Sequence, residues 1–109
     1  QDLVARYGGE EFVAILPHTD LRGAVIVAEN IRKAVQAKEL LKRSTGEKLG
    51  RITASFGVAS YTFGDNSNTF IERADRCLYA AKRSGRNRVV SETELIEMAD
   101  APSKDASAA

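Results

Sequence analysis

The sequence predicts a small α+β domain, because strand patterns and helix patterns both occur along it. Two glycines near the start join two apolar runs, which is typical of a β-hairpin. Two longer stretches carry apolar residues at the three- and four-residue spacing of an amphipathic helix. Between them lies a run in which apolar and polar residues alternate, as on a strand with one buried face.

Size and composition limit the classes of protein to consider. The 109 residues allow one domain at most, and contents of 43% hydrophobic and 28% charged residues are typical of soluble globular chains. A net charge of +1 gives no electrostatic case for binding nucleic acid or a membrane. The single cysteine, Cys77, excludes an internal disulfide and suits a reducing compartment. We expect a cytoplasmic segment.

The start of the chain suggests a piece of a longer protein. It runs from Gln1 and Asp2 straight into a strand pattern, without an initiator methionine. No stretch is apolar and long enough to cross a bilayer, and no signal peptide is visible. We expect no membrane contact by this segment, although upstream segments can anchor a parent protein in a membrane.

The opening hairpin is predicted within residues 3–16. Gly8 and Gly9 suit its turn, because glycine adopts positive φ and lets a ligand approach the backbone closely. Glu10 and Glu11 follow at once, and neighbouring strand residues point to opposite faces. The two carboxylates should therefore do different jobs, one facing a ligand or metal. For this motif alone, a solvated acidic tip is the alternative.

A first helix is predicted from a cap at Thr19 or Asp20 to about residue 42. Its apolar stripe indicates core packing rather than a binding surface. Several of its polar residues are assigned largely to the solvated face. The stripe consists of Leu21, Ala24, Val25, Ala28, Ile31 and Val35, and the polar residues are Glu29, Arg32, Lys33 and Gln36.

The middle of the chain predicts a loop followed by a strand. Residues 42–51 are polar and contain two glycines, so we interpret them as a loop. Residues 51–61 alternate as a strand does. Gly57 lies inside this strand, which indicates a bulge or the close approach of another element.

A second helix is predicted over residues 69–84, with Gly85 at the place of a C-terminal cap. Cys77 lies in its apolar stripe, so we interpret it as a small buried hydrophobe and not a nucleophile. The chain then predicts a short closing strand over residues 88–90, a short tail helix over 91–101 and a disordered tail over 102–109.

Three stretches resemble signatures of the GGDEF family, the diguanylate cyclases. Residues 7–12 read Tyr-Gly-Gly-Glu-Glu-Phe and resemble the motif that names the family, with Glu where many members have Asp. Residues 73–89 resemble its C-terminal signature, a helix with an Asp and a Leu-Tyr pair that ends in Ala-Lys and then Gly-Arg-Asn. Residues 53–59 resemble its Ser-x-Gly-Val-Ala strand. Their order and spacing make this resemblance specific, and it implies that residues 1–90 are the C-terminal portion of such a domain.

The resemblance implies a cyclase-like α/β sandwich, of the ferredoxin-like or palm type, with a central and mostly antiparallel sheet. It also implies condensation of two GTP molecules into cyclic di-GMP with release of pyrophosphate, assisted by Mg²⁺ or Mn²⁺. Each domain carries one GTP, so a homodimer of domains is implied. The family's N-terminal strand and helices have no counterpart here, and this chain alone should be weakly active or inactive. The alternative is a catalytically silent domain that senses GTP or cyclic di-GMP.

The resemblance assigns roles to the hairpin residues. Glu10 is the metal-ligating catalytic carboxylate, and Glu11 is the neighbouring catalytic acid with a structural or assisting role. Gly8 and Gly9 let the backbone approach the nucleotide. Phe12 is expected in the core.

Two cations near the end of the second helix complete the implied nucleotide site. Lys82 and Arg86 are assigned to the β- and γ-phosphates, because lysine supplies a mobile point charge and arginine a planar fork. Cations at a helix C-terminus also complement the helix dipole, which is the alternative explanation. Arg83 and Arg88 are assigned to the solvated face. Asp2 lies where the family carries the aspartate of a product-binding inhibitory site, and a surface aspartate without function is the alternative.

Overall fold

The computed structural model describes residues 3–8, 11–41 and 48–100, and these form an α+β fold, as predicted. None of the described helices is both long enough and apolar enough to cross a membrane. The predicted disordered tail over residues 102–109 lies outside the described residues. The elements are β1 (Leu3–Gly8), β2 (Glu11–Ile15), α1 (Leu21–Ala37), β3 (Glu39–Leu41), β4 (Lys48–Arg51), β5 (Phe56–Val58), α2 (Ser67–Arg83), β6 (Val89–Ser91) and α3 (Glu92–Asp100).

The N-terminal hairpin forms as predicted. Strands β1 and β2 pair antiparallel, and their register runs from Leu3 opposite Ile15 to Gly8 opposite Glu11. The register shifts near the tip, between Arg6 and Gly8. The hairpin therefore ends at a pair of residues that both belong to the predicted site.

The prediction that Phe12 lies in the core is wrong, because its side chain is 67% exposed. Glu11 and Val13 are half-buried, whereas Phe12 and Ala14 are exposed. Since successive strand residues point to opposite faces, the described elements cover only the face that carries Glu11. The other face of β2 is open.

Helix α1 begins where predicted, because the Asp20 carboxylate accepts a hydrogen bond from the Gly23 N–H at 2.7 Å. It ends at Ala37, about five residues earlier than predicted, because Lys38 adopts an extended backbone. Within its predicted apolar stripe, Ala28 is buried but Ile31 is exposed.

The prediction of a loop over residues 42–51 is wrong for its described part. Strand β4 pairs antiparallel with β3, from Glu39 opposite Arg51 to Leu41 opposite Lys48. The same pairing explains why α1 stops early, since residues 39–41 belong to β3 instead. Residues 42–47 lie outside the described residues.

The C-terminal half is a strand–helix–strand unit in which β5 and β6 pair in parallel, with Phe56 opposite Val89. The strand predicted over residues 51–61 is shorter than expected, since β5 spans only Phe56–Val58 and pairs with the three residues of β6. The close approach predicted at Gly57 is confirmed. A Cβ placed there would collide with the backbone of Ala74 and Leu78 in α2.

The core lies where α2, β6 and α3 meet. Cys77, Ala81 and Val90 are fully buried there, and Leu95 of α3 packs against them. Burial raises the pKa of the Cys77 thiol to about 11, which agrees with a packing role. Strand β6 thereby fixes both α2 and the helix that follows it.

Candidate functional site

An ion pair joins the start of β2 to the last turn of α2. The Nζ atom of Lys82 lies 3.3 Å from Oε2 of Glu11. Glu11 begins β2, and Lys82 lies in the last turn of α2. The two residues are 71 positions apart in the sequence, so the fold alone brings them together.

The Glu11–Lys82 pair positions the lysine side chain but adds little to the stability of the fold. The two side chains are 36% and 39% exposed, and exposed ion pairs typically contribute about 0–1 kcal/mol. The carboxylate nevertheless holds the lysine ammonium beside the hairpin, on the half-buried face of β2. A cation is thus placed next to the strand end that carries the GGEEF motif.

The turn after α2 presents Arg86. The helix ends at its cap Ser84, and Gly85 then adopts a φ of +124°. The Arg86 N–H donates to the Ala81 carbonyl at 2.9 Å, which closes the helix in the way a C-terminal glycine allows. The predicted role of Gly85 is confirmed. Arg86 itself is exposed and lies just beyond the helix end.

The structure brings together three of the residues that the sequence assigns to the site. Gly8 pairs with Glu11 across the hairpin, and Glu11 contacts Lys82. The remaining hairpin residues Gly9 and Glu10, and the inhibitory-site candidate Asp2, lie outside the described residues. Their roles stay predictions.

The described residues alone do not make a metal site. Within residues 11–38 and 52–99, whose side chains are described, no three histidine, cysteine or carboxylate side chains cluster in a way that could hold a metal ion. The Glu11 carboxylate is engaged by Lys82. Magnesium is commonly held by one or two carboxylates together with substrate phosphates, so a site that relies on Glu10 needs few protein ligands.

Sequence reasoning missed two residues that shape this region. The sequence pattern predicts Arg32 on the solvated face of α1, but its side chain is only 15% exposed and donates to Asn87. Asn87 adopts a φ of 49°, next to Arg86 with a φ of 62°. An asparagine directly after Gly-Arg at a helix end was a usable signal, because asparagine tolerates the left-handed region. No local pattern pointed to Arg32.

Comparison with known families agrees with this geometry. Residues 1–88 match the family described as "Diguanylate cyclase, GGDEF domain". The match includes the hairpin, α2 and the turn after it.

Two curated relatives are diguanylate cyclases. The chain is 48% identical over 85 residues to diguanylate cyclase VdcA of Vibrio cholerae, which covers 78% of this chain and 25% of the relative. It is 46% identical over 89 residues to diguanylate cyclase A of Treponema denticola, which covers 81% of this chain and 23% of the relative. The chain thus spans about a quarter of the length of these relatives.

A solved structure shares the fold. The GGDEF domain of DgcB from Caulobacter crescentus, solved in complex with c-di-GMP, superposes with a TM-score of 0.81 at 45% identity. The alignment covers 84% of this chain and 52% of that one. Sequence match, identity and fold agree, and the chain therefore belongs to the GGDEF family of diguanylate cyclase domains.

Proposed function

We propose that residues 1–90 of this chain are the C-terminal portion of a catalytic GGDEF domain, which condenses two GTP molecules into cyclic di-GMP. The observation that carries the proposal is the contact between Glu11 and Lys82. It sets the Glu11 carboxylate beside the cationic end of α2, which supports a site in which hairpin carboxylates and phosphate-binding cations act together. The identity to named diguanylate cyclases supports the same reaction.

Lys82 and Arg86 bind the β- and γ-phosphates in this proposal. The ammonium of Lys82 exchanges its contact with Glu11 for a phosphate oxygen, and Glu11 keeps the lysine oriented while no nucleotide is bound. Arg86 is exposed and can offer its planar fork to the same triphosphate. Gly8 and Gly9 let the hairpin backbone approach the nucleotide.

Glu10 is the proposed metal ligand. Its carboxylate would hold Mg²⁺ or Mn²⁺ together with phosphate oxygens. A divalent cation bound there would offset the charge of the triphosphate and make the reacting hydroxyl more acidic.

The reaction itself is a pair of phosphoryl transfers. Each 3′-hydroxyl gives its proton to water, and its oxygen forms a bond to the α-phosphorus of the other GTP. The bond between that phosphorus and the oxygen bridging to the β-phosphate breaks, and pyrophosphate leaves with the electron pair. The two nucleotides must face each other, so we propose a homodimer of domains. Orientation and charge neutralisation supply most of the rate enhancement in such transfers.

A regulatory module that binds GTP or cyclic di-GMP without catalysis is the second candidate. Its nucleotide-binding part is supported by the solved relative, a GGDEF domain in complex with c-di-GMP. Asp2 would then contribute to a product-binding inhibitory site. The two candidates differ in whether GTP is consumed.

The test measures cyclic di-GMP formation from GTP and Mg²⁺ by chromatography, with the full-length protein that carries this chain. We expect Lys82→Ala and Arg86→Ala to raise the KM for GTP about tenfold or more, because hydrogen bonds to charged groups contribute about 1.5–3 kcal/mol. Glu10→Gln should abolish turnover. The 109-residue chain alone should form little product.

Arg83→Ala is the matched control, because Arg83 is an exposed arginine in the same last turn of α2 and donates to the Tyr79 hydroxyl. It should leave KM unchanged. Equal effects of Arg83→Ala and Arg86→Ala would contradict a specific phosphate site. Binding of cyclic di-GMP without turnover by the full-length protein would favour the regulatory candidate instead.

A further inference from the structure

The turn that carries Arg86 has an uncommon backbone. Gly85, Arg86 and Asn87 all have positive φ, with values of 124°, 62° and 49°. Glycine adopts such values freely and asparagine tolerates them, but arginine rarely does. Residues with strained backbone persist where surrounding contacts hold them, and such residues are common at functional sites.

One of these contacts comes from α1. Nη1 of Arg32 donates to Oδ1 of Asn87 at 2.9 Å, across 55 positions of sequence. The guanidinium is fixed by its own helix, because Nε donates to Glu29 at 3.0 Å and Nη1 donates to Gln36 at 3.1 Å. Arg32 therefore offers Asn87 a donor whose direction is already set.

A second contact reaches the turn from the other side. The Asn87 N–H donates to Oγ of Ser55 at 3.0 Å, just before β5. The Phe56 N–H then donates to the Arg88 carbonyl at 2.9 Å, where β5 begins to pair. Asn87 is thus held between α1 and the start of β5 by its side chain and its backbone.

We propose that Arg32 is a positioning residue for nucleotide binding, which acts through Asn87 to hold Arg86 in the left-handed turn. The inference rests on the proposed role of Arg86 as a phosphate ligand. Arg32 does not touch the nucleotide in this proposal. It fixes the direction in which the backbone presents the Arg86 side chain.

Backbone energetics explain why Arg86 has to be held in this conformation. A left-handed conformation is unfavourable for a residue with a side chain, so a released turn tends to relax to negative φ. Relaxation would redirect the Cα–Cβ bond of Arg86 and lower the fraction of molecules that present its guanidinium. Arg32 offsets this tendency through one charge-assisted hydrogen bond.

The test compares two nucleotides that differ in the phosphates Arg86 is proposed to bind. Binding of the α,β-methylene analogue of GTP and of GMP to the full-length protein is measured by calorimetry with Mg²⁺ present. We expect Arg32→Ala to weaken the triphosphate about fivefold to tenfold, as for loss of one hydrogen bond of about 1 kcal/mol, and to leave GMP unchanged. Arg22→Ala, which alters an exposed arginine of the same helix, should change neither.

Asn87→Gly is the second variant, and it covers the case in which Arg32→Ala does not fold. Glycine keeps the positive φ but removes the Oδ1 acceptor, so the fold should persist while the triphosphate-specific loss appears. In a background of Arg86→Ala, neither substitution should weaken the triphosphate further. That non-additivity is expected only if Arg32 and Asn87 act through Arg86.

The outcomes separate this inference from the proposed function. If Arg86→Ala leaves triphosphate affinity unchanged, the proposed phosphate role of Arg86 is wrong. If Arg86→Ala weakens the triphosphate but Arg32→Ala and Asn87→Gly do not, only the positioning role is overturned. Two further outcomes would overturn the positioning role. One is an equal loss of affinity for GMP and for the triphosphate, and the other is a further loss in the Arg86→Ala background. A general structural defect predicts each of these results.

Discussion

At the scale of single residues, Gly57 decides how closely α2 packs on β5. A Cβ at this position would collide with the carbonyl oxygen of Ala74 and the amide nitrogen of Leu78. Both are backbone atoms of a regular helix, so neither can rotate away as a side chain can. The contact also sets the distance between β5 and α2, the helix whose last turn carries Lys82.

We expect Gly57→Ala to destabilise the fold by about 1–3 kcal/mol, the usual cost of overpacking a tight contact. The urea midpoint of unfolding should fall accordingly. Gly23→Ala is the matched control, because a Cβ there meets only side-chain atoms of Thr19 and Asp20, at 3.0 and 3.1 Å. It should change the midpoint little, and a loss as large as that of Gly57→Ala would contradict the close-approach explanation.

At the scale of elements, Arg73 connects α2 to the turn before it and to α3 through hydrogen bonds and ion pairs. Its guanidinium contacts both carboxylate oxygens of Asp65, donates to the Ser60 carbonyl at 2.6 Å, and lies 3.2 Å from Glu92. The Asp65 side chain is only 7% exposed within this arrangement. Hydrogen bonds from Arg73, and then from the Thr62 backbone, hold the pKa of Asp65 well below its usual range.

The lowered pKa of Asp65 predicts a pH-dependent contribution to stability. A carboxyl group whose pKa is lower in the folded state stabilises the fold above the unfolded pKa, which is ordinarily 3.8. That contribution is lost as the pH falls from there toward the folded-state pKa. We expect Asp65→Asn to lower the urea midpoint near neutral pH, and the difference from the wild type to shrink below that value.

The measurement is a series of urea unfolding curves from about pH 7 to about pH 2. Asp75→Asn, which alters an exposed carboxylate of α2, serves as the control and should give no midpoint difference at any pH. A wild-type advantage over Asp65→Asn that stays constant through the acid range would show that Arg73 does not stabilise the ionised carboxylate. A difference that vanishes already near pH 6 would point to another titrating group.

At the scale of the whole molecule, the described strands form three separate pairs. The face of β2 that carries Phe12, and one side of α1, remain uncovered by the described elements. Exposed apolar side chains that are grouped on one face of an element favour association with another apolar surface. The exposed large apolar side chains on these two faces are Phe12, Ile26, Val27 and Ile31, whereas Ile15 is exposed on the opposite face of β2.

We expect the 109-residue chain to self-associate as its concentration rises, through these apolar faces. Phe12→Ser should weaken the association, because it removes a largely exposed aromatic ring from the hairpin. Sedimentation velocity over a concentration series is the measurement. Phe63→Ser is the control, since that ring is also exposed but belongs to the turn before α2. A chain that stays monomeric, or variants that behave alike, would contradict the prediction.

The sequence by itself determined the features that depend on local chemistry. The hairpin, the cap of α1 at Asp20 and the end of α2 at Gly85 follow from side-chain caps and glycine φ, which act within a few residues. The start of α2 was predicted only near its true position. The capping box of Asn66 and Thr69 begins the helix at Ser67. The motifs also sufficed for the family, because they combine residue type with spacing.

Only the tertiary structure decided which distant segments meet. It placed Glu11 against Lys82, turned Arg32 from the predicted solvated face toward Asn87, and left Phe12 exposed. It also paired β3 with β4 and so shortened α1. Periodicity shows which face of an element is apolar, but not what lies opposite that face. Contacts between segments far apart in sequence depend on how all the elements pack, and no local pattern encodes that.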